Sequence, residues 1–302
     1  MILVTGATGL LGSEIIKMSP GTIGISTSDC DLSKSADIIN KISENKNIKT
    51  VIHCAAKVGG VKSNTENVAD FFDKNIKINT NVMNVCKEKK LKLISILSTC
   101  VYPDSDFVKY PLTEDQLHMG PPHPSNFGYA YAKRMLDVQS RAYRQQYGCN
   151  FITVIPNNLY GANDNYNLES GHVVPALIKK FYEAKKSGND SVTVWGTGSA
   201  LREFTFARDA AKIILWLARN YDEPGPVNIG NTEQVSIREL SKIISEIVGF
   251  NGKIIFDITK PEGQYKKPSS NKKLKQLGWN EKYTPLKNGL TETFQKFLLL
   301  NN

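Results

Sequence analysis

Two residues four apart, Tyr129 and Lys133 in Tyr129-Ala-Tyr-Ala-Lys133, offer the clearest acid–base chemistry in this chain. At the start of a helix they project from one face. A phenol near pKa 10 exchanges protons poorly at neutral pH; an ammonium beside it favours the phenolate and draws its pKa toward the working range. The same spacing is common on ordinary surface helices, so it needs support. Ser98 supplies some, because it ends the apolar run Leu93-Ile-Ser-Ile-Leu-Ser98, where a strand leaves the carboxyl edge of its sheet. Open α/β sheets bind ligands at that edge, and a hydroxyl there can hold a substrate carbonyl beside the phenol.

The third element is Gly6-Ala-Thr-Gly9-Leu-Leu-Gly12, which follows the apolar run Ile2-Leu-Val-Thr5 and leads into a helical pattern. In this strand–turn–helix context Gly6 permits the tight turn, Gly9 lets the backbone approach a pyrophosphate, and Gly12 lets helix and strand pack closely. The free N–H groups of the helix start then face the phosphates. A dinucleotide is therefore expected beside the tyrosine. Whether it carries a 2′-phosphate stays open: the second strand ends in Ser26-Thr27-Ser28-Asp29, with hydroxyls and no arginine. Asp29 and Asp31 read equally well as helix-start caps or as adenosine contacts.

The elements around these residues predict an α/β chain, a Rossmann-type doubly wound parallel sheet with a smaller C-terminal α/β domain. Runs at 2–5, 22–26, 50–54, 93–98 and 151–155 are apolar on both faces, and helical patterns lie near 10–18, 34–45, 66–89 and 127–147. Such alternation indicates a parallel sheet covered on both sides. After Tyr160 the pattern predicts helices near 173–186, 207–220, 236–248 and 285–300, with strands at 192–195, 203–206, 227–230 and 253–257. We expect residues 1–160 plus about 203–232 to form the dinucleotide-binding domain, and 161–202 plus 233–302 the substrate domain.

Composition narrows the function further. The 302 residues are 40% hydrophobic and 22% charged, as in ordinary globular proteins. Lys and Arg outnumber Asp and Glu by 38 to 29, an excess that suits phosphates and pyrophosphates. No basic tail or aromatic-interleaved basic run argues for nucleic acid. The five cysteines form no C-x-x-C pair, which predicts no disulfide framework, no metal site and a reducing compartment. No apolar run approaches the roughly 20 residues that span a bilayer. A strand beginning at Ile2 leaves no room for a signal peptide. A soluble, cytoplasmic enzyme is expected; a non-catalytic dinucleotide sensor would have no need of Ser98, Tyr129 and Lys133 together.

The glycine turn, Ser98 and Tyr129/Lys133 together resemble the extended short-chain dehydrogenases/reductases. Further segments resemble the GDP-L-fucose synthase branch of that family. They are His53-Cys-Ala-Ala-Lys-Val-Gly-Gly60, Ser98-Thr-Cys-Val-Tyr-Pro103, Pro156-Asn-Asn-Leu-Tyr-Gly161, Gly171-His-Val-Val-Pro-Ala-Leu177, Val194-Trp-Gly-Thr-Gly198 and Arg202-Glu-Phe204. The likeness is specific up to about residue 220 and loose from about 235. It implies an NADPH-dependent enzyme, NADH remaining open, that reduces the C4 ketone of a GDP-linked 4-keto sugar. That sugar is GDP-4-keto-6-deoxy-mannose or a related hexose or heptose. Epimerisation at C3 and C5 would accompany reduction, or else be left to another enzyme. A homodimer built through the helices at 66–89 and 127–147 is also implied.

By position, the resemblance makes Tyr129 the proton donor, Lys133 its partner and a ribose ligand, and Ser98 the carbonyl anchor. Cys100 and His172 match its epimerase pair, although taken alone Cys100 reads more readily as a buried thiol and His172 as a helix cap or satisfied polar residue. Cofactor contacts carried over are Gly6, Thr8, Gly9, Leu10, Leu11, Gly12, Ser26, Asp31, Leu32, Ala55, Ala56, Asn75, Lys133, Asn157, Leu159 and His172. Substrate contacts are Val58, Gly59, Asn158, Val173, Lys180, Trp195 and Arg202. Arg202 would clamp a diphosphate, Lys180 stands where the family has Arg, and Trp195 reads evenly as contact or core. Two departures remain: Thr8 and Ser26-Thr27-Ser28 replace arginines that grip a 2′-phosphate, and the loop Gly263-Gln-Tyr-Lys-Lys267 differs.

Overall fold

Successive residues of the apolar strands point to opposite faces, and both faces are packed. Leu3, Val51, Leu93 and Phe151 enter one core, while their neighbours Val4, Ile52, Ile94 and Ile152 enter another. A computed structural model describes residues 1–168, 170–260 and 262–301. Its first part runs β1 (Ile2–Thr5), α1 (Leu10–Met18), β2 (Ile23–Ile25), α2 (Ser35–Ser43), β3 (Thr50–His53), α3 (Val61–Glu66), α4 (Val68–Glu88), β4 (Lys92–Ile96), α5 (Phe127–Tyr147) and β5 (Phe151–Pro156). It continues as β6 (Asn158–Tyr160), α6 (Val173–Lys186), β7 (Ser191–Trp195), β8 (Leu201–Phe206), α7 (Ala207–Asn220) and β9 (Val227–Ile229). The chain ends with β10 (Gln234–Ser236), α8 (Ile237–Val248), β11 (Lys253–Asp257), α9 (Lys272–Gln276) and α10 (Leu286–Asn301).

The main sheet is parallel throughout, in the order β2-β1-β3-β4-β5-β9. Helices α2, α4 and α5 cover one face; α1 and α7 cover the other. The order reverses between β1 and β3, so the connections after these strands diverge and leave a crevice at their carboxyl ends. A buried network fixes both rims. The Nδ2 of Asn79 donates to the carbonyl of Ala132, which turns its Oδ1 toward His53 Nε2 at 3.1 Å. His53 therefore donates through Nε2 and accepts through Nδ1 from the Thr5 hydroxyl at 2.8 Å, and Thr5 Oγ1 in turn accepts from the Ala55 N–H. Burial holds His53 down to about pKa 3, so the ring stays neutral.

A third core lies away from this sheet. Tyr160, Phe181, Phe204, Phe206 and Leu240 are buried together, between the small sheet β10-β8-β6, the pair β11-β7, and helices α6, α8 and α10. Among the described residues no helix is long and apolar enough to cross a membrane.

Three expectations change. The helix expected near 66–89 is α4, Val68–Glu88, but the short α3 before it, Val61–Glu66, was not expected; Asn67 separates the two, leaving helical geometry (φ −125°, ψ 43°) while its side chain bonds the Ser63 carbonyl. Strand β4 ends at Ile96, so Ser98 begins a short 3₁₀ turn rather than closing the strand. Elements β6, β10 and α9 were not anticipated; they span three to five residues, too few to show a period.

Gly12 is the tightest point of the helix–strand approach. A Cβ there would sit 2.2 Å from the Gly6 carbonyl oxygen. Gly12→Ala should lower stability by roughly 1–3 kcal/mol through overpacking and weaken dinucleotide binding, as thermal unfolding and a titration would show. An unchanged melting temperature would contradict this packing.

Candidate active site

The glycine turn opens the site. Gly6 has φ +68°, and an added Cβ would meet Ala55 backbone atoms at 2.9 Å. Only a residue without a side chain lets β1 and β3 loops approach this closely. The helix-start N–H groups after Gly9 receive no side-chain cap, so they remain available to a phosphate. This cradle fits a dinucleotide pyrophosphate.

From here a cleft of about 1670 Å³ runs across the carboxyl edge of the main sheet to the third core. Pockets for one small ligand hold about 300–1,000 Å³, so this one has room for two. Of the residues named from the sequence, most line it: Gly6, Thr8, Gly9, Leu10, Leu11, Gly12, Ser26, Asp31, Leu32, Ala55, Ala56, Val58, Ser98, Tyr129, Lys133, Asn157, Asn158, Leu159, His172, Val173, Lys180, Trp195 and Arg202. Gly59, Asn75 and Cys100 stand back from its wall.

Asn75 is a correction with a clear reason. It is fully buried, its amide bonding both the N–H and the carbonyl of Lys57 and the carbonyl of Phe71. It shapes the loop that carries Val58 and presents nothing to the cleft. Asn157 lines the cleft, yet its side chain is spent inward on Thr205, Asn231 and Glu203. The carboxylates of Asp29 and Asp31 are also occupied, accepting from Ser26 and from Ser33, which holds both below the usual range.

Tyr129 and Lys133 occupy the first turns of α5, and both face the cleft with Ser98. Lys133 is 2% exposed and donates to the Ile96 carbonyl at 2.8 Å. Its neighbour Arg134 bonds the Val101 and Gly120 carbonyls, tying the Ser98–Val101 turn to the same helix. The Ser98 side chain accepts from the Cys100 N–H, and Tyr129 packs edge-on against Phe71 at 6.3 Å. The sequence suggested that Lys133 draws the phenol down. Here burial and the Cys100 thiol push the Tyr129 pKa up instead. A raised pKa keeps the phenol protonated, as a proton donor requires.

At the other end, Trp195 is 45% exposed and so is no core residue, with Lys180 5.8 Å above its ring. The His172 ring faces the cleft and makes no cap bond to α6; the surrounding protein draws its pKa down. Arg202 donates to the carbonyls of Leu201, Glu262 and Tyr265. Reasoning from sequence missed Lys74, His123 and Glu262, which also line the cleft. It also missed Lys267, the charge that most opposes burial at Cys100. No motif signalled them: Lys74 and His123 stand near named residues without a pattern of their own, and Glu262 and Lys267 come from a loop far along the chain.

Burial pulls Lys133 down to about pKa 8. Between pH 8 and its ordinary 10.5 the folded chain therefore binds fewer protons here than the unfolded one, and stability rises with pH. The stability difference of Lys133→Met over the unchanged chain, from urea unfolding, should be largest below pH 8 and shrink toward pH 10.5. A constant difference would show that Lys133 does not carry a buried charge.

Comparison with known proteins agrees with this geometry. Residues 2–230 match the NAD dependent epimerase/dehydratase family. A GDP-L-fucose synthase from Dictyostelium discoideum is 45% identical, covering 98% of this chain and 95% of that one. The crystal structure of a GDP-L-fucose synthetase from Naegleria fowleri bound to NADP superimposes with a TM-score of 0.92 at 39% identity, covering 99% and 93%. A GDP-6-OMe-4-keto-L-xylo-heptose reductase from C. jejuni gives 0.90 at 26% identity, covering 100% and 98%. With its glycine cradle, its Ser98–Tyr129–Lys133 cluster and these relatives, the chain belongs to the NAD dependent epimerase/dehydratase family, in the GDP-L-fucose synthase branch.

Proposed function

We propose that this protein is an NADPH-dependent reductase of the C4 ketone of a GDP-linked 4-keto sugar. The sugar would be GDP-4-keto-6-deoxy-mannose or a related hexose or heptose, with C3/C5 epimerisation coupled to reduction. The observation that carries this reading is one continuous cleft. It joins the glycine cradle to Ser98, Tyr129 and Lys133, and those to His172, Lys180, Trp195 and Arg202. Relatives named for GDP-sugar synthesis and the NADP of the Naegleria structure support it. The dinucleotide, when bound, supplies a hydride.

The chain's own residues do the rest. Ser98 holds the C4 carbonyl and Tyr129 gives its proton to the alkoxide oxygen. Lys133 would hold the dinucleotide's ribose, and its positive charge at the cleft wall favours charge building on O4. Trp195, Lys180 and Arg202 take the guanosine diphosphate end; Arg202 must release carbonyls of the 262–265 segment to present its fork to a phosphate. In the epimerase step Cys100 removes a proton beside the ketone and His172 returns one from the opposite face.

The same reading divides the chain into a dinucleotide part, 1–160 plus about 203–232, and a sugar part, 161–202 plus 233–302. A homodimer through α4 and α5 belongs to it, supported by the exposed Phe72, Val138 and Tyr147 on those helices. A cytoplasmic setting fits five free cysteines.

Tyr129→Phe should cut reduction by at least about 10²-fold, the scale of lost general acid catalysis, while NADPH binding followed by fluorescence stays close to unchanged. Substantial residual turnover would remove Tyr129 from the acid role. A second reading, reduction without epimerisation, is favoured by Cys100 standing behind the cleft wall with its thiol pushed up by burial. Incubation of the ketosugar with protein in D₂O, without cofactor, decides between them. Deuterium at C3 or C5 supports the coupled reaction, and its absence supports the reductase alone.

A further inference from the structure

The cradle for the dinucleotide ends in hydroxyls. Strands β1 and β2 leave the main sheet side by side, Thr5 opposite Ile25, and the Ala7 N–H bonds the Ile25 carbonyl at 3.1 Å. Thr8 of the glycine turn therefore stands next to Ser26 and Thr27, and all three line the cleft. Ser26 is committed: its N–H and hydroxyl donate to Asp29 at 2.8 and 2.6 Å. Asp29 itself lies outside the cleft wall. The hydroxyls of Thr8 and Thr27 make no hydrogen bond among the described residues, so both remain open to a ligand.

Charge reaches this corner from α4. Asn81 Nδ2 donates to the Leu32 carbonyl at 3.2 Å, which seats the helix on the chain that follows β2. Ile78 and Lys74 continue that face of α4 at helical spacing, and both line the cleft with Leu32. The other lysines and arginines of the wall lie elsewhere or are engaged. Lys57 pairs with Asp70 at 3.4 Å, and Lys62 stands on α3, whose start bonds the Ser170 carbonyl. Lys133 is central, and Lys180, Arg202 and Lys260 lie toward the third core. Lys74 is solvent-exposed and has no ion pair within 4.0 Å among the described residues. One acid, Asp31, lines the same corner. Its carboxylate accepts from the Ser33 N–H and hydroxyl at 3.0 and 2.7 Å and has Lys34 at 3.7 Å. Closer groups than Lys74 thus answer its charge.

We propose that Lys74, with the hydroxyls of Thr8 and Thr27, forms the binding site for the 2′-phosphate of NADPH. A phosphate there carries about two negative charges near neutral pH. Hydroxyls donate to it without neutralising it, and an ammonium on a flexible stem supplies the opposite charge. The site rests on the NADPH reading above, and its cation comes from α4, not from the glycine turn or the end of β2. With NADH the same corner meets a bare ribose hydroxyl, and Lys74 has no charge to answer.

The test is a pair of binding titrations without sugar, NADPH and NADH, each followed by the fluorescence of the reduced nicotinamide. The unchanged protein should bind NADPH more tightly. Lys74→Gln, at an exposed position, should weaken NADPH about tenfold, the low end for a lost hydrogen bond to a charged group. Its affinity for NADH should stay within about twofold. Lys74→Arg keeps the charge and should bind NADPH nearly as the unchanged protein does; Thr27→Val should give a smaller loss, again confined to NADPH. As a fragment probe, 2′,5′-ADP should displace NADPH better than 5′-AMP does, and Lys74→Gln should erase that advantage. An unchanged NADPH affinity in Lys74→Gln, or an equal loss for both cofactors, overturns the assignment and leaves the NADPH reading standing. Should the unchanged protein itself bind NADH as tightly as NADPH, the NADPH reading fails and the site falls with it.

Discussion

The site depends on an ammonium ion held almost out of water by a single carbonyl at the end of a central strand. Lys133 reaches Ile96 from the second turn of α5, and burial draws it down to about pKa 8. Such a group is costly to fold around. The structure surrounds it with fixtures: Arg134 tying the Ser98 turn to the same helix, Asp137 accepting from Thr153 on β5, and Asn79 bonding the Ala132 carbonyl from α4. Together they lock α5 against β4 and β5. Tyr129, one turn earlier, is thereby fixed relative to Ser98 without any direct bond between the two.

The reversal of strand order between β1 and β3 does the complementary work. It opens the crevice, and Gly6 allows the two loops to approach within contact of one another. The third core then closes the far side of the cleft with β7, β8 and α6, which bring Trp195, Arg202 and Lys180 to its wall. On the proposed reading, hydride chemistry and nucleotide recognition come from different cores, and segment 262–271 is one of the pieces that bridge them.

Much of this was legible in the sequence because parallel strands are apolar on both faces. The runs at 2–5 and 151–155 have no other reading, and α5, α6 and α7 carry strong helical periods with Gly148 ending the first in left-handed geometry. The glycine spacing and Tyr129/Lys133 are local signals of the same kind. Illegible were contacts made by folding distant segments together. Nothing near Asn75 says that it will bond Lys57, nothing near Lys133 names the Ile96 carbonyl, and Glu203 looks like an ordinary acid in a strand. Ser98 was misplaced by two residues because Leu97 still bonds Val154 across the sheet, so the apolar run outlasts the regular strand. The phenol's direction of shift was misjudged for a related reason: spacing shows a nearby lysine but not the burial that pushes the phenol up.

The central claim is that a ketone sits between Ser98, Tyr129 and a bound nicotinamide. Its most direct test is isotope transfer: NADPH carrying deuterium at both C4 positions of the nicotinamide is incubated with the protein and a GDP-linked 4-keto sugar, and the product is examined by NMR. The account predicts deuterium at C4 of the sugar and at no other carbon. Label missing from the sugar while NADPH is consumed, or label at a carbon other than C4, would contradict it.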